Sequence, residues 1–131
     1  MNRILLSATF VLFTSFASPQ HTKTVQEYQS VANSLADLNI NLASDSTFKF
    51  SMRILATHEA PEEQLSFKGS WQGDAQYYEL TFTGKRPKLK ALFDPQYAEA
   101  DEFTIRNDST VAINKSKDSI MIWGVRCKKA Y

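Results

Sequence analysis

The sequence predicts an α+β domain, with one N-terminal helix packed on a curved antiparallel sheet of five to seven strands. Three observations carry this expectation. Val31, Leu35, Leu38 and Leu42 recur at spacings of 4, 3 and 4, the stripe of an amphipathic helix. From Phe48 the apolar period switches to two, the mark of strands with one wet face. Turn-forming Gly, Asn, Asp and Ser then punctuate the chain between short alternating runs.

The chain opens with MNRILLSATFVLFTSFA, which predicts a secretory signal peptide over residues 1–17. Arg3 supplies the positive start and Ile4 to Phe13 the apolar stretch. Ser15-Phe16-Ala17 fits the small-x-small rule for cleavage after Ala17. The apolar run is shorter than the roughly 20 residues a spanning helix needs, so no stable membrane anchor is expected. Residues 18–24 read as a flexible polar tail and residues 25–131 as a single domain. Removal of Arg3 with the signal leaves equal numbers of basic and acidic residues. A neutral chain argues against nucleic acid as a partner, because phosphates demand a positive surface.

The helix is expected from Val25 to Leu42, ending where Asn39 to Ser46 favour turns. Phe48, Phe50, Met52, Ile54 and Ala56 form the inner face of the next strand, with Lys49, Ser51 and Arg53 outside. Leu65, Phe67, Gly69 and Trp71 share a face, as do Tyr78, Leu80 and Phe82. A two-residue turn at Gly73-Asp74 would join these runs as a hairpin, setting Phe67 against Leu80, Leu65 against Phe82 and Lys68 against Glu79. Lys88 to Phe93 reads as an edge strand after Pro87, and Tyr97 to Asp101 as a connection. A turn at Asn107 to Ser109 would pair Ile105 with Val111 and Phe103 with Ile113. After a further turn near Ser116-Lys117, SIMIWGVRC reads as one last strand.

A sheet that curls around an N-terminal helix resembles the cystatin-like and NTF2-like folds over most of residues 25–131. The resemblance is architectural. Against the cystatin loop pattern Q-x-V-x-G, Gln64-Leu65-Ser66-Phe67-Lys68-Gly69 is one residue longer and lacks the valine. A second resemblance is to periplasmic lipoprotein carriers, whose strand-Arg-Pro-strand rhythm is echoed by Thr83-Gly84-Lys85-Arg86-Pro87. These resemblances imply a protease inhibitor or an acyl-chain carrier as alternatives to a general binding role.

Catalysis is not expected. His21 lies in the tail, and His58 opens HEAPEE, which departs from the HExxH zinc motif because Glu62 stands at i+4 and Pro61 breaks the helix. Glu59, Glu62 and Glu63 offer a cation site or a solvated turn. The acidic stretch Asp94, Glu99, Asp101 and Glu102 offers a carboxylate pair or a solvated connection. No Gly-rich phosphate loop or G-x-S-x-G is present, and no cofactor or metal is expected.

The surface features point to binding. Trp71, Tyr78 and Trp123 are candidates for a ligand cleft between sheet and helix, taking a small apolar molecule, or for plain core. Lys85, Arg86, Lys88 and Lys90 form a basic run suited to an anionic headgroup, sulfated glycan or acidic protein, or to a charge-protected edge. Asn107-Asp108-Ser109 and Asn114-Lys115-Ser116 are N-glycosylation sequons at expected turns. Cys127, the single cysteine, is expected either to close a core row as a buried thiol or to link two copies as a disulfide homodimer. Together these features predict a small secreted non-catalytic binding domain.

Overall fold

The computed structural model describes residues 22–130 and overturns the expected helix. The signal peptide at 1–17, His21 and most of the tail lie outside the described residues. Lys23, at the end of that tail, is tied to the sheet, since its backbone N–H donates to Ser44 Oγ at 3.0 Å. The strands are β1 (Thr24–Ser30), β2 (Ala36–Ala43), β3 (Thr47–Ile54), β4 (Glu63–Gly73), β5 (Tyr77–Thr83), β6 (Phe103–Asn107), β7 (Thr110–Asn114), β8 (Ser119–Ile122) and β9 (Val125–Ala130). They form one antiparallel nine-stranded sheet in the order β6-β7-β5-β4-β3-β2-β1-β9-β8, curled into a nearly closed barrel. The one α-helix among the described residues is a single turn, α1 (Leu89–Leu92). None is long and apolar enough to cross a membrane.

The helix expectation failed because a spacing of four fits both periods. Leu38 and Leu42 are four apart, which is one helical turn but also two strand repeats. Ala36, Leu38, Ile40 and Leu42 in fact alternate, and all four are buried in β2. Leu35, counted in the helical stripe, is 50% exposed in the β1–β2 turn. Asn33 builds that turn. Its Oδ1 accepts from the N–H of Leu35 at 2.7 Å and Ala36 at 2.9 Å, and its Nδ2 donates to the carbonyls of Val31 and Ala36. A side chain that offers the backbone such partners competes with helix.

β3 follows the expected alternation, with Phe48, Phe50 and Met52 buried and Lys49 and Arg53 exposed. The β4–β5 hairpin keeps the expected faces but not the expected partners. Gly73 pairs with Tyr78, Trp71 with Leu80, Gly69 with Phe82 and Lys68 with Thr83. The turn moves on to Ala75-Gln76, because Asp74 Oδ1 accepts from the N–H of Gln76 and Tyr77, both at 2.7 Å. Those two bonds also hold the Asp74 carboxyl below its ordinary range. Gly69 fixes the register sterically, since a Cβ there would lie 2.0 Å from the Thr81 carbonyl oxygen. Each residue's partner moves by four positions, as from Glu79 to Thr83 for Lys68, an even number, so no side chain changes face. The β6–β7 pairing is as expected, with Phe103 opposite Ile113 and Ile105 opposite Val111.

SIMIWGVRC is two strands rather than one. Trp123 (φ 51) and Gly124 (φ 74) both adopt left-handed backbone, the combination a type I′ turn requires. Ile122 therefore meets Val125 and Ile120 meets Cys127, and all four are buried. Lys88 to Phe93 is likewise not an edge strand. Leu89 and Leu92, three apart, and Phe93 turn inward while Ala91 stays exposed, the pattern of a helical turn.

Inside, Phe48, Phe50, Phe67 and Phe82 pack edge-on or tilted with ring centroids 4.9–6.4 Å apart. Apolar side chains point inward and polar ones outward, the reverse of a barrel whose outer wall meets lipid. The edges β6 and β8 close through side chains. Glu102, 1% exposed just before β6, accepts from the Met121 N–H of β8 at 2.8 Å, from Arg126 Nη1 of β9 at 2.8 Å and from the Glu99 N–H at 3.2 Å. Beside it the Trp123 N–H donates to the Leu92 carbonyl at 2.7 Å. Glu102 is thus not part of a solvated acidic connection, and its burial is the chief feature that sequence reasoning missed.

Candidate functional site

The outward rows of β2 to β5 follow from strand register. Asn41 stands opposite Lys49, Lys49 opposite Lys68, and Lys68 opposite Thr83. In the adjoining row Asn39 faces Ser51 and Ser51 faces Ser66. On the other side Thr47, Ser70 and Thr81 line up. Of these, Asn39, Asn41, Thr47, Lys49, Ser51, Ser66, Lys68 and Thr83 border, with Lys85 just after β5, an open groove of about 1050 Å³. Gly84, at φ 69, turns the chain so that Lys85 lies with its Nζ 5.7 Å from the centre of the Phe67 ring.

The electrostatics of this face are one-sided. Like charges directly opposite on neighbouring strands repel, and Lys49 and Lys68 are such a pair. Among the described residues the ion pairs are Arg53 with Asp37 and Glu62, Arg106 with Glu79, and Arg126 with Glu102. None of them neutralises Lys49, Lys68 or Lys85. The nearest acid in the row, Glu27, is opposite Asn41 and is already engaged by the Asn39 amide at 2.6 Å. The face therefore presents three ammonium groups framed by amides and hydroxyls. Such a set can donate hydrogen bonds to an anion and exchange hydrogen bonds with alcohols.

The basic run expected from sequence is divided by the fold. Lys85 joins Lys49 and Lys68, while Arg86, Lys88 and Lys90 border a second groove of about 640 Å³ floored by Pro87, Leu89 and Ile105. Arg106 also lines it, but its guanidinium is held by Glu79 at 3.4 Å and over the Tyr77 ring at 5.3 Å. Lys49 and Lys68 are not among the binding residues expected from the sequence. The usable signal was two outward lysines in adjacent strands, which becomes a pair only once register is known.

The three aromatic candidates do not all come together, since Trp123 lies apart from the other two. Trp71 and Tyr78 meet edge-on at 5.8 Å, with Trp71 Nε1 donating to the Ala43 carbonyl at 2.8 Å and Lys115 Nζ 4.8 Å from the Tyr78 ring centre. Because successive strands alternate in direction, the turns at 43–47 and 73–77 share one end of the barrel, and the β8–β9 turn carrying Trp123 lies at the other. Residues 24–30 and 36–43 form strands, so the helix expected over 25–42 does not close a cleft over these rings.

Of the sequon asparagines, Asn107 is exposed at the end of β6 and Asn114 is buried, with its Nδ2 donating to the Asp101 carbonyl at 2.9 Å. Cys127 is 1% exposed in β9, and burial pushes its thiol up to about 12. His58 is exposed in the β3–β4 loop, and Glu62 is committed to Arg53. No cluster of three metal-ligating side chains occurs among the described residues. No family model, no curated protein and no solved structure matches the chain.

Proposed function

We propose that the protein is a secreted, non-catalytic binding domain that recognises an acidic glycan on the outer face of β2 to β5. The observation that carries this reading is the set Lys49, Lys68 and Lys85, which have no acidic partner among the described residues and share a groove with Asn, Ser and Thr side chains. Sulfate or carboxylate groups on a sugar would supply the missing counter-charge, and sugar hydroxyls would meet the amides and hydroxyls. An aromatic platform for stacking nucleobases is not part of this groove, since Phe48 and Phe67, the rings that border it, are buried. The apolar-ligand reading has less support. Its helix is replaced by strands, and the barrel interior is occupied by packed phenylalanine rings. The inhibitor and acyl-carrier alternatives rested on the same helix-on-sheet architecture.

Retention on immobilised heparin tests the reading. The wild-type chain is expected to stay bound at physiological ionic strength, about 0.15 M, and to elute as salt screens the contacts. The K49Q/K68Q/K85Q variant is expected to elute at much lower salt than the wild type with an unchanged circular dichroism spectrum. Elution of the wild type in the void volume at low salt overturns the proposal.

A further inference from the structure

Two grooves share one stretch of chain. Lys85 borders the first, and its neighbour Arg86 borders the second together with Lys88 and Lys90. Consecutive Cα atoms are only 3.8 Å apart, so the two rims meet at the Lys85–Arg86 peptide. Among the described residues no acidic side chain forms an ion pair with Arg86, Lys88 or Lys90. The acid bordering the second groove is Asp108, on the β6–β7 turn. A chain whose net charge is only +1 has therefore gathered six cations without an acidic partner among the described residues, Lys49, Lys68, Lys85, Arg86, Lys88 and Lys90, along two grooves that adjoin at residues 85 and 86.

We infer that the ligand is a linear polyanionic glycan, long enough to lie on the β2–β5 face and continue across the 85–90 ridge into the second groove. The inference rests on the glycan reading of that face and adds the ligand's polymeric form and a second subsite. A small anion would be satisfied by the first groove alone and would leave the ridge unused. A polymer with a charge on each repeat meets cations in both places. The path is also graded. The first groove surrounds its lysines with amides and hydroxyls, whereas the second has an apolar floor of Pro87, Leu89 and Ile105. Selectivity for sugar hydroxyls is thus assigned to the first groove and added charge contact to the second.

The test compares a heparin-derived tetrasaccharide with a dodecasaccharide by titration calorimetry on the full chain as secreted. The wild type is expected to bind the longer chain more tightly and with a steeper dependence on salt, since each phosphate-like contact releases counterions. R86Q/K88Q/K90Q is expected to lower dodecasaccharide affinity about tenfold, in keeping with the modest strength of exposed ion pairs, and to flatten its salt slope. Its loss for the tetrasaccharide is expected to be much smaller. K49Q/K68Q is expected to weaken both ligands. Equal affinity of the ridge variant and the wild type for the dodecasaccharide overturns the extension while leaving the face reading in place. No binding of either oligosaccharide to the wild type overturns both. Equal competition by single-stranded DNA of matched charge overturns the assignment to a glycan. All the substitutions are at exposed positions, so a melting curve unlike the wild type's would identify a folding effect, and single R86Q and K90Q variants then carry the same comparison.

Discussion

The ladder between β3 and β4 and the junction between β6 and β8 close the same barrel by different means. β3 and β4 pair continuously from Thr47–Ser70 to Ile54–Glu63, each strand satisfying the other's backbone. At the junction the edge strands do not pair, and one carboxylate, Glu102, reaches across to a backbone N–H of β8 and to Arg126 of β9. A backbone ladder depends weakly on any single side chain. A side-chain bridge concentrates closure on one residue, and removing one partner of a buried pair leaves the other unsatisfied. The junction should therefore be the more fragile region.

Cys127 provides the probe, because it pairs with Ile120 of β8 beside that junction. Its thiol is held up to about 12 by burial, against an ordinary value near 9. The folded state thus holds its proton where the unfolded state has lost it. The contribution is fully present below pH ~9 and is lost as pH rises from there towards the folded value, on the order of 4 kcal/mol at the upper end. Urea denaturation of wild type and C127A from pH 8 to pH 11 checks this. The wild type should lose stability relative to C127A across that window, and parallel curves would show that the thiol ionises freely in the folded state.

Glu102→Ala is the next largest effect. It leaves the Met121 N–H without its acceptor and Arg126 without its counter-ion, costing about 3 kcal/mol. The more telling readout is local. Alkylation of Cys127 at neutral pH should accelerate beyond what the fall in global stability explains, because β8 and β9 would open first. If acceleration only matches the global loss, the junction opens with the rest of the molecule and the contrast with the β3–β4 ladder disappears.

The same two regions divide what the sequence made legible. β3 was readable because Phe48, Phe50 and Met52 alternate with Lys49, Ser51 and Arg53, and only a strand satisfies that pattern. β6–β7 was readable because its turn residues and its apolar pairs agree. Residues 25–42 were misread because Leu38 and Leu42 satisfy both periods, and the decisive evidence, Asn33 folding back on Leu35 and Ala36, is a hydrogen-bond pattern rather than a periodicity. Glu102 was unreadable for a different reason. Its burial depends on Met121 and Arg126, which approach only when the sheet curls. The candidate face had a similar fate. Lys85 was visible within a basic run, but its company with Lys49 and Lys68 exists only in the register of β3, β4 and β5.

Gly69→Ala tests the ladder at its tightest point. The added methyl would meet the Thr81 carbonyl oxygen and the Phe48 ring, so the β4–β5 pair must shift. Overpacking of this kind costs about 2 kcal/mol. Hydrogen exchange should show the loss in β4 and β5 amides, with Cys127 alkylation rising only in proportion to global stability. A variant as stable as the wild type would mean that the β4–β5 register is not held at Gly69.

Lys68→Gln should have the smallest effect on stability and the opposite sign. It removes one of two like charges facing each other across the ladder, which should stabilise the fold by a few tenths of a kcal/mol at low salt. Screening at 1 M salt shortens the Debye length to about 3 Å and should erase the gain. The same substitution removes a cation from the proposed glycan face, so heparin retention should fall as stability rises. Opposed movements of this kind are what a binding surface produces when it keeps repulsive charges together for a ligand to neutralise. Urea midpoints at low and high salt, set beside heparin elution of the same samples, make the comparison. If K68Q is less stable than the wild type at low salt, Lys49 and Lys68 do not repel in the folded state, and the charge argument for this face loses its premise.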